Sequence, residues 1–274
     1  MRDENELDHL AKGETLDETL NETFIEIEGV SLEIAGETLL RDVHLSVARG
    51  EVLAIMGPSG QGKSLLLKIL AGLIEPSIGE VRIEGRDRSQ MSTAERMNWG
   101  RQAGMLFQRN ALFDSLTALE NVNFPQVETL GRDERAAAAV SHKLLAAVGL
   151  SEAAERYPSE ISGGMQKRLG IARALSLAPK LILYDDPTAG LDPITSRMII
   201  RLIKDLQERD HSTVIVVTNE IARAFQVADR VGFVFGGRLV MAGTPDETRN
   251  STHPEVARFL RGQPSADSER RLST

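Results

Sequence analysis

No cysteine occurs among the 274 residues, which excludes disulfides, thiolate metal sites and cysteine nucleophiles. No run approaches the roughly 18 apolar residues of a membrane span; the most apolar stretch, residues 65–74, is short and holds Lys68. A basic excess is also missing. The formal charge is −8, and residues 1–22 carry −6 of it, with eight acids against Arg2 and Lys12. The near-neutral remainder gives no support to nucleic-acid binding. The five histidines (9, 44, 142, 211 and 253) have no metal-site spacing, and neither an internal repeat nor a long heptad stretch occurs. The acidic start has neither the basic n-region nor the apolar core of a signal peptide. These absences predict a soluble, cytoplasmic protein that depends on another chain for any membrane spans.

What is present describes an ordinary globular protein: 41% hydrophobic and 26% charged residues, at a length for one large domain or two small ones. Residues 1–22 read as an acidic, solvated tail. From Phe24, apolar residues alternate with polar ones through Val47, with Gly29, Gly36 and Gly50 as punctuation, which predicts short antiparallel strands. A strand over 80–83 follows, and Ser92 with Glu95 predicts a capped helix through Trp99. Residues 104–107 read as a strand ending at Gln108. Residues 117–177 read as mostly helical, most clearly 134–148, where Val140, Leu144, Leu145 and Val148 share a face. Strands at 181–184, 213–217 and 231–235 alternate with helices at 195–209 and 220–227, the pattern of a mostly parallel sheet covered on both faces. A strand at 238–241 and a helix at 254–260 close the core, and a polar tail covers 262–274.

The organising stretch is Gly57-Pro58-Ser59-Gly60-Gln61-Gly62-Lys63-Ser64, a G-x-x-x-x-G-K-S phosphate-binding loop. An apolar strand (52–56) precedes it and a helix follows. That context aims backbone N–H groups and a helix dipole at a phosphate chain. In this pattern Lys63 reaches the β/γ-phosphates of a nucleotide and the Ser64 hydroxyl holds Mg²⁺. The apolar strand Leu181-Ile182-Leu183-Tyr184 ends in Asp185-Asp186, 122 residues beyond Lys63. Asp185 fits a role in holding Mg²⁺ and Asp186 one in orienting the attacking water. Ser162-Gly163-Gly164 opens a second helix with a capping serine and two glycines that leave the amides open to an anion.

Taken together, GPSGQGKS (57–64), Gln108, ISGGM (161–165), LILYDDP (181–187), AGLD (189–192) and Thr218-Asn219-Glu220 resemble the ATP-binding subunit of an ATP-binding-cassette (ABC) transporter, over about residues 24–245. The resemblance implies an α/β P-loop NTPase fold: a RecA-like core with a mixed, mainly parallel sheet, an antiparallel β subdomain and a helical subdomain at about 110–177, within an ATPase domain spanning 23–261. It also implies a head-to-tail homodimer, in which Ser162, Gly163 and Gly164 of one copy close over ATP bound by the other's loop. Gln108 would sense Mg²⁺ and the attacking water, Asp192 would cross the interface, and Leu112 and Phe113 would face a membrane permease. Within the family, the chain is most similar to the ATPases of Mla/Mce-type phospholipid transporters, through Met165, residues 105–108 with 111–113, residues 190–195, and the ending 253–260. That likeness implies a peripheral protein on the inner face of the cell membrane. Its partners would be a permease, an Mce-domain lipid-binding protein and a small STAS-domain protein.

Three positions depart from the family pattern. Asp186 stands where a catalytic Glu is expected, Asn219 where a switch His is expected, and no adenine-stacking aromatic lies near Ile34-Ala35-Gly36. A group displaced by ~1 Å can cost on the order of 10²-fold in rate. Asp186 and Asn219 would face the same water and γ-phosphate, so their effects need not add. The expectation is a working ATPase slowed by Asp186 and Asn219. Two alternatives stay open: a non-transport ABC ATPase, and a hydrolysis-impaired switch that dimerises on ATP.

Overall fold

The computed structural model describes residues 22–263. The tails read at 1–22 and 262–274 fall almost wholly outside the described residues.

Alternation builds the first layer. Strands β1 (Thr23–Ile34) and β2 (Glu37–Ala48) pair antiparallel, and one face buries Phe24, Ile27, Val30, Leu32, Leu40, Val43, Leu45 and Val47. They turn at Ala35 and Gly36, both with positive φ, as a two-residue hairpin requires. The sequence predicts short strands here, whereas each strand runs 12 residues. Register shifts between Ile27 and Val30 and again to Leu32 absorb the break in alternation, so Gly29 lies within a bulged strand instead of ending one. β4 (Ile78–Ile83) and β5 (Arg86–Asp87) complete the sheet in the order β2-β1-β4-β5.

The second sheet has the order β10-β9-β3-β8-β7-β6. Its strands are β3 (Val52–Met56), β6 (Ala103–Leu106), β7 (Leu181–Asp185), β8 (Thr213–Val217), β9 (Arg230–Phe235) and β10 (Arg238–Gly243). All neighbours run parallel except the β9–β10 pair. β3, β7 and β8 are buried along their whole length, which explains why they read as unbroken apolar runs.

Helices cover both sheets. Helix α1 (Lys63–Leu70) follows β3, and α2 (Thr93–Gln102) starts at a reciprocal capping box between Ser92 and Glu95. The capping bonds and Arg86 bring the Glu95 carboxyl down to about 2. α3 (Ala118–Leu130), α4 (Glu134–Ala147) and α5 (Gly163–Ala174) form the helical stretch. The buried face of α4 is Ala137, Ser141 and Leu145, continued by Val148, with Val140 and Leu144 at its margin. α6 (Pro193–Asp210) and α7 (Ile221–Val227) follow. α8 (Pro245–Arg249) and α9 (Pro254–Leu260) end the described chain. α8 is absent from the sequence reading, although Thr244 and Glu247 spell its capping box.

The parallel register positions the site. Ile55 of β3 and Asp185 of β7 both pair with Val217 of β8, so the carboxyl ends of three strands lie level beneath one crevice, where open α/β sheets bind ligands. Ile215, at the centre of β8, is fully buried. Ile215→Ala is expected to destabilise the protein by about 3 kcal/mol, measured by chemical denaturation. A cost near zero would mean that this sheet does not carry the core.

Candidate functional site

Gly57 leaves β3 at φ 134°, and a Cβ there would stand 2.3 Å from the Val234 carbonyl oxygen. Only glycine fits where the loop passes this close to β9. Gln61 ties the far side of the loop down, its Oε1 accepting from Gly236 N at 2.6 Å. Gly62, left-handed, caps α1 without a side-chain hydrogen bond, and the first turn holds no acid. The amides at this helix start therefore face outward with a positive local field, suited to an anion. The Lys63 ammonium folds back over the loop, donating to the Gly57 and Pro58 carbonyls at 2.7 Å each. Burial lowers its pKa, and Asp186 and Asp185 oppose that shift.

Ser64 Oγ donates to Asp185 Oδ1 at 2.8 Å, joining the loop to the end of β7, and Asp185 is buried. Asp186 follows in the left-handed region at φ 49°, a conformation that Asp tolerates better than most residues. Its N–H donates to the Val217 carbonyl at 2.9 Å. Burial raises the pKa of the Asp186 carboxyl. Lys167 works against that shift, Asp185 and Glu220 add to it, and Lys63 opposes it more weakly. From beyond the end of β8, Asn219 Nδ2 donates to Ser59 Oγ at 3.2 Å, so the residue expected to act as a switch touches the 57–64 loop. Lys63, Ser64, Asp185, Asp186 and Asn219, drawn from three strand ends, thus gather in one crevice.

Magnesium binds through one or two carboxylates and keeps waters and phosphate oxygens for its other positions. The Ser64 hydroxyl and the Asp185 carboxylate supply hard oxygens of that kind, already in contact. Among the described residues no cluster of three or more His, Asp or Glu forms a metal cage. Gln108 stands two residues beyond β6, exposed.

The segment Ser162-Gly163-Gly164, expected to face an anion, lies elsewhere on the chain. Ser162 caps α5, its Oγ accepting from Met165 N at 3.3 Å. Gly164 is required because a Cβ there would approach Thr195 Cγ2 to 2.7 Å. Ser162, Gly163 and Gly164 line a groove of about 340 Å³ together with Gly190, Leu191 and Asp192. Asp192 caps α6, accepting from Ile194 N at 2.9 Å and from Thr195 N at 3.0 Å. With the Thr195 hydroxyl, these bonds hold its carboxyl below the usual range. Among the described residues no hydrogen bond joins Ser162, Gly163 or Gly164 to residues 57–64 of the same chain. Phe113 is 42% exposed and packs on Phe124 with ring centroids 4.7 Å apart, while Leu112 is partly buried against the core.

Two residues of the site, Glu220 within the Thr218-Asn219-Glu220 motif and Lys167 outside any motif, make contacts that the sequence reading does not assign. Glu220 accepts from Thr188 Oγ1 at 3.1 Å and from Arg223 Nε at 2.9 Å, tying the segment after β8 to the segment after β7. Lys167, buried in the middle of α5, donates to the Gln108 carbonyl at 2.6 Å. The one hint in the sequence is a lysine on a helix whose neighbours Leu169, Gly170 and Ile171 read as interior.

Comparison with known proteins agrees with this geometry. The ABC transporter family model matches residues 40–189. The chain is 41% identical over 237 residues to the glutamine transport ATP-binding protein GlnQ of Escherichia coli (strain K12), covering 86% of this chain and 98% of the relative. It is 36% identical over 244 residues to the intermembrane phospholipid transport system ATP-binding protein MlaF of Haemophilus influenzae, covering 89% of this chain and 92% of the relative. The ATP-binding cassette MJ0796, solved as a dimer in a post-hydrolysis state bound to ADP and Pi, superposes with a TM-score of 0.72 at 34% identity, over 78% of this chain and 96% of that one. The chain therefore belongs to the ABC transporter family, as an ATP-binding domain with the cassette fold.

Proposed function

We propose that the protein hydrolyses ATP to ADP and phosphate and so drives a lipid transporter, working as a homodimer on the inner face of the cell membrane. The observation that carries the reading is the meeting of Lys63, Ser64, Asp185, Asp186 and Asn219 at the ends of β3, β7 and β8. In the proposed mechanism, the amides of residues 57–64 cradle the phosphate chain and the Lys63 ammonium moves from the loop carbonyls to the β/γ-phosphate oxygens. Ser64 and Asp185 would hold Mg²⁺, with Gln108 as a further expected contact, and the ion would supply charge neutralisation at the phosphates. Asp186 orients the attacking water and accepts its proton, and Asn219 donates a hydrogen bond to the γ-phosphate. Such positioning and electrostatic stabilisation carry most of the rate in phosphoryl transfer.

The other half of each site comes from Ser162, Gly163 and Gly164 of the second copy, with Asp192 at the interface. The dimeric neighbour solved with ADP and phosphate supports this reading. Residues 23–261 form the proposed ATPase unit, with residues 110–177 as its helical part. A permease receives Leu112 and Phe113, in line with the exposure of the Phe113 ring. Among the described residues no helix is long and apolar enough to cross a membrane.

The phospholipid cargo, with an Mce-domain protein and a small STAS-domain protein as further partners, rests on residues 105–113, Met165, residues 190–195 and 253–260, and on the similarity to MlaF. The similarity to a glutamine transport protein indicates that the cassette itself is shared between cargoes. Cargo choice then belongs to the membrane partners.

Lys63→Ala is expected to abolish ATP binding. Asp186→Asn should keep ATP binding but lower phosphate release by about 10²-fold or more, the scale of a lost general base. Both are read by nucleotide binding and phosphate-release assays on the full chain. Equal phosphate release from Asp186→Asn and the unaltered protein would remove Asp186 from the chemistry. Asp186→Glu should raise turnover, since its longer carboxylate reaches further toward the water; a fall would show that the shorter residue is fitted to this crevice. ATP-driven dimerisation without any phosphate release above the Lys63→Ala control would favour a binding switch.

A further inference from the structure

The segment after β6 is held in an unusual conformation. Asn110 and Ala111, consecutive and not glycine, both have positive φ, 60° and 50°. Such backbone persists only where surrounding groups over-determine it. Here the surrounding groups are side chains of two helices. Arg173 of α5 donates to the Asn110 carbonyl at 2.9 Å and also to the Ala111 carbonyl, with its guanidinium 5.9 Å from the Phe113 ring centroid. Asn121 of α3 accepts from Phe113 N at 2.9 Å and donates to Phe113 O at 3.0 Å. At the head of the segment, Lys167 of α5 donates to the Gln108 carbonyl at 2.6 Å. Lys167 is only 4% exposed; burial lowers its pKa, and the charges of Asp186 and Asp185 oppose that shift.

We infer that Lys167 is a positioning residue for hydrolysis: it fixes the main chain of Gln108 and thereby sets where the Gln108 side chain meets the reacting phosphate. This rests on the reading of the crevice as an ATPase site. Geometry gives the inference a wider consequence. Lys167 lies five residues beyond Ser162 on the same helix start. The helix that presents Ser162, Gly163 and Gly164 to a second copy therefore holds Gln108 of its own copy through Lys167. A rotation of α5 on closing over the partner's ATP would carry Gln108 with it, so occupancy of one site would be felt at the other through one rigid helix.

Lys167→Met retains the aliphatic stem and its packing but removes the donor to Gln108; Lys167→Arg retains a donor. In steady-state hydrolysis by the full chain, Lys167→Met is expected to lose about 10- to 100-fold in kcat, the scale of a catalytic group displaced by an ångström. KM for ATP and the binding of a fluorescent ATP analogue should stay near their unaltered values. Lys167→Arg should recover most of the rate. In a Gln108→Ala background, Lys167→Met should cost nothing further, because both changes remove one function. Four results would overturn the inference: an unaltered kcat in Lys167→Met, a parallel loss of ATP affinity, no recovery with arginine, or a full additional loss in the Gln108→Ala background. If Lys167→Met fails to fold, the arginine variant decides alone: a folded Lys167→Arg with low kcat overturns the inference, and near-normal kcat supports it. Hydrolysis by the unaltered chain no greater than by Lys63→Ala would instead defeat the ATPase reading itself, which separates the two failures.

Discussion

Four charged groups share one crevice largely shielded by the protein: Lys63 at 7% exposure, Lys167 at 4%, Asp185 at 5% and the half-buried Asp186. Isolated buried charges are strongly unfavourable, and they persist only when paired and hydrogen-bonded. The two ammonium groups meet that condition through the main-chain carbonyls of Gly57, Pro58 and Gln108, with the charges of Asp186 and Asp185 acting on them through space. The opposing influences on Lys63 and Asp186, where burial pushes each pKa one way and the neighbouring charges push back, are this balance seen at single groups. A triphosphate entering such a site adds several negative charges to a set that is already neutral. The proposed divalent cation beside Ser64 and Asp185 would offset that added charge.

The rest of the fold holds these groups in reach of one another. Parallel pairing aligns the ends of β3, β8 and β7, so that a lysine and a carboxylate separated by more than a hundred residues lie on adjacent loops. Close packing of the loop against β9 demands glycine at position 57, and the Gln61–Gly236 bond fixes the loop from its other side. The first sheet, with its long bulged hairpin, presses Leu39 and Leu40 against Gly62 and so supports the helix start from behind.

Much of this was legible in the sequence where the chemistry is local. The glycines, Lys63 and Ser64 form one contiguous pattern whose strand and helix flanks are apolar, and the carboxylates Asp185 and Asp186 end an apolar run. The order of strands and helices followed from periodicity, and the antiparallel layer from alternation. What stayed hidden depends on partners far along the chain. Lys167 and its acceptor are 59 residues apart, and nothing in the local helix pattern tells a buried lysine from a solvated one. Gly29 read as a strand end because alternation stops there, yet a bulge carries the pairing through. Asp192, expected at an interface, also caps α6 within its own chain, so helix geometry fixes its place whether or not a partner is present.

In the proposed dimer each site is built from two copies, the loop of one facing Ser162 of the other. The lack of cysteine makes a direct measurement simple. In a chain carrying Ser59→Cys together with Ser162→Cys, mild oxidation should yield covalently linked dimers when ATP and Mg²⁺ are present and few when they are withheld. A chain that remains monomeric under oxidation with ATP and Mg²⁺, or that closes the bond within a single copy, would contradict the account.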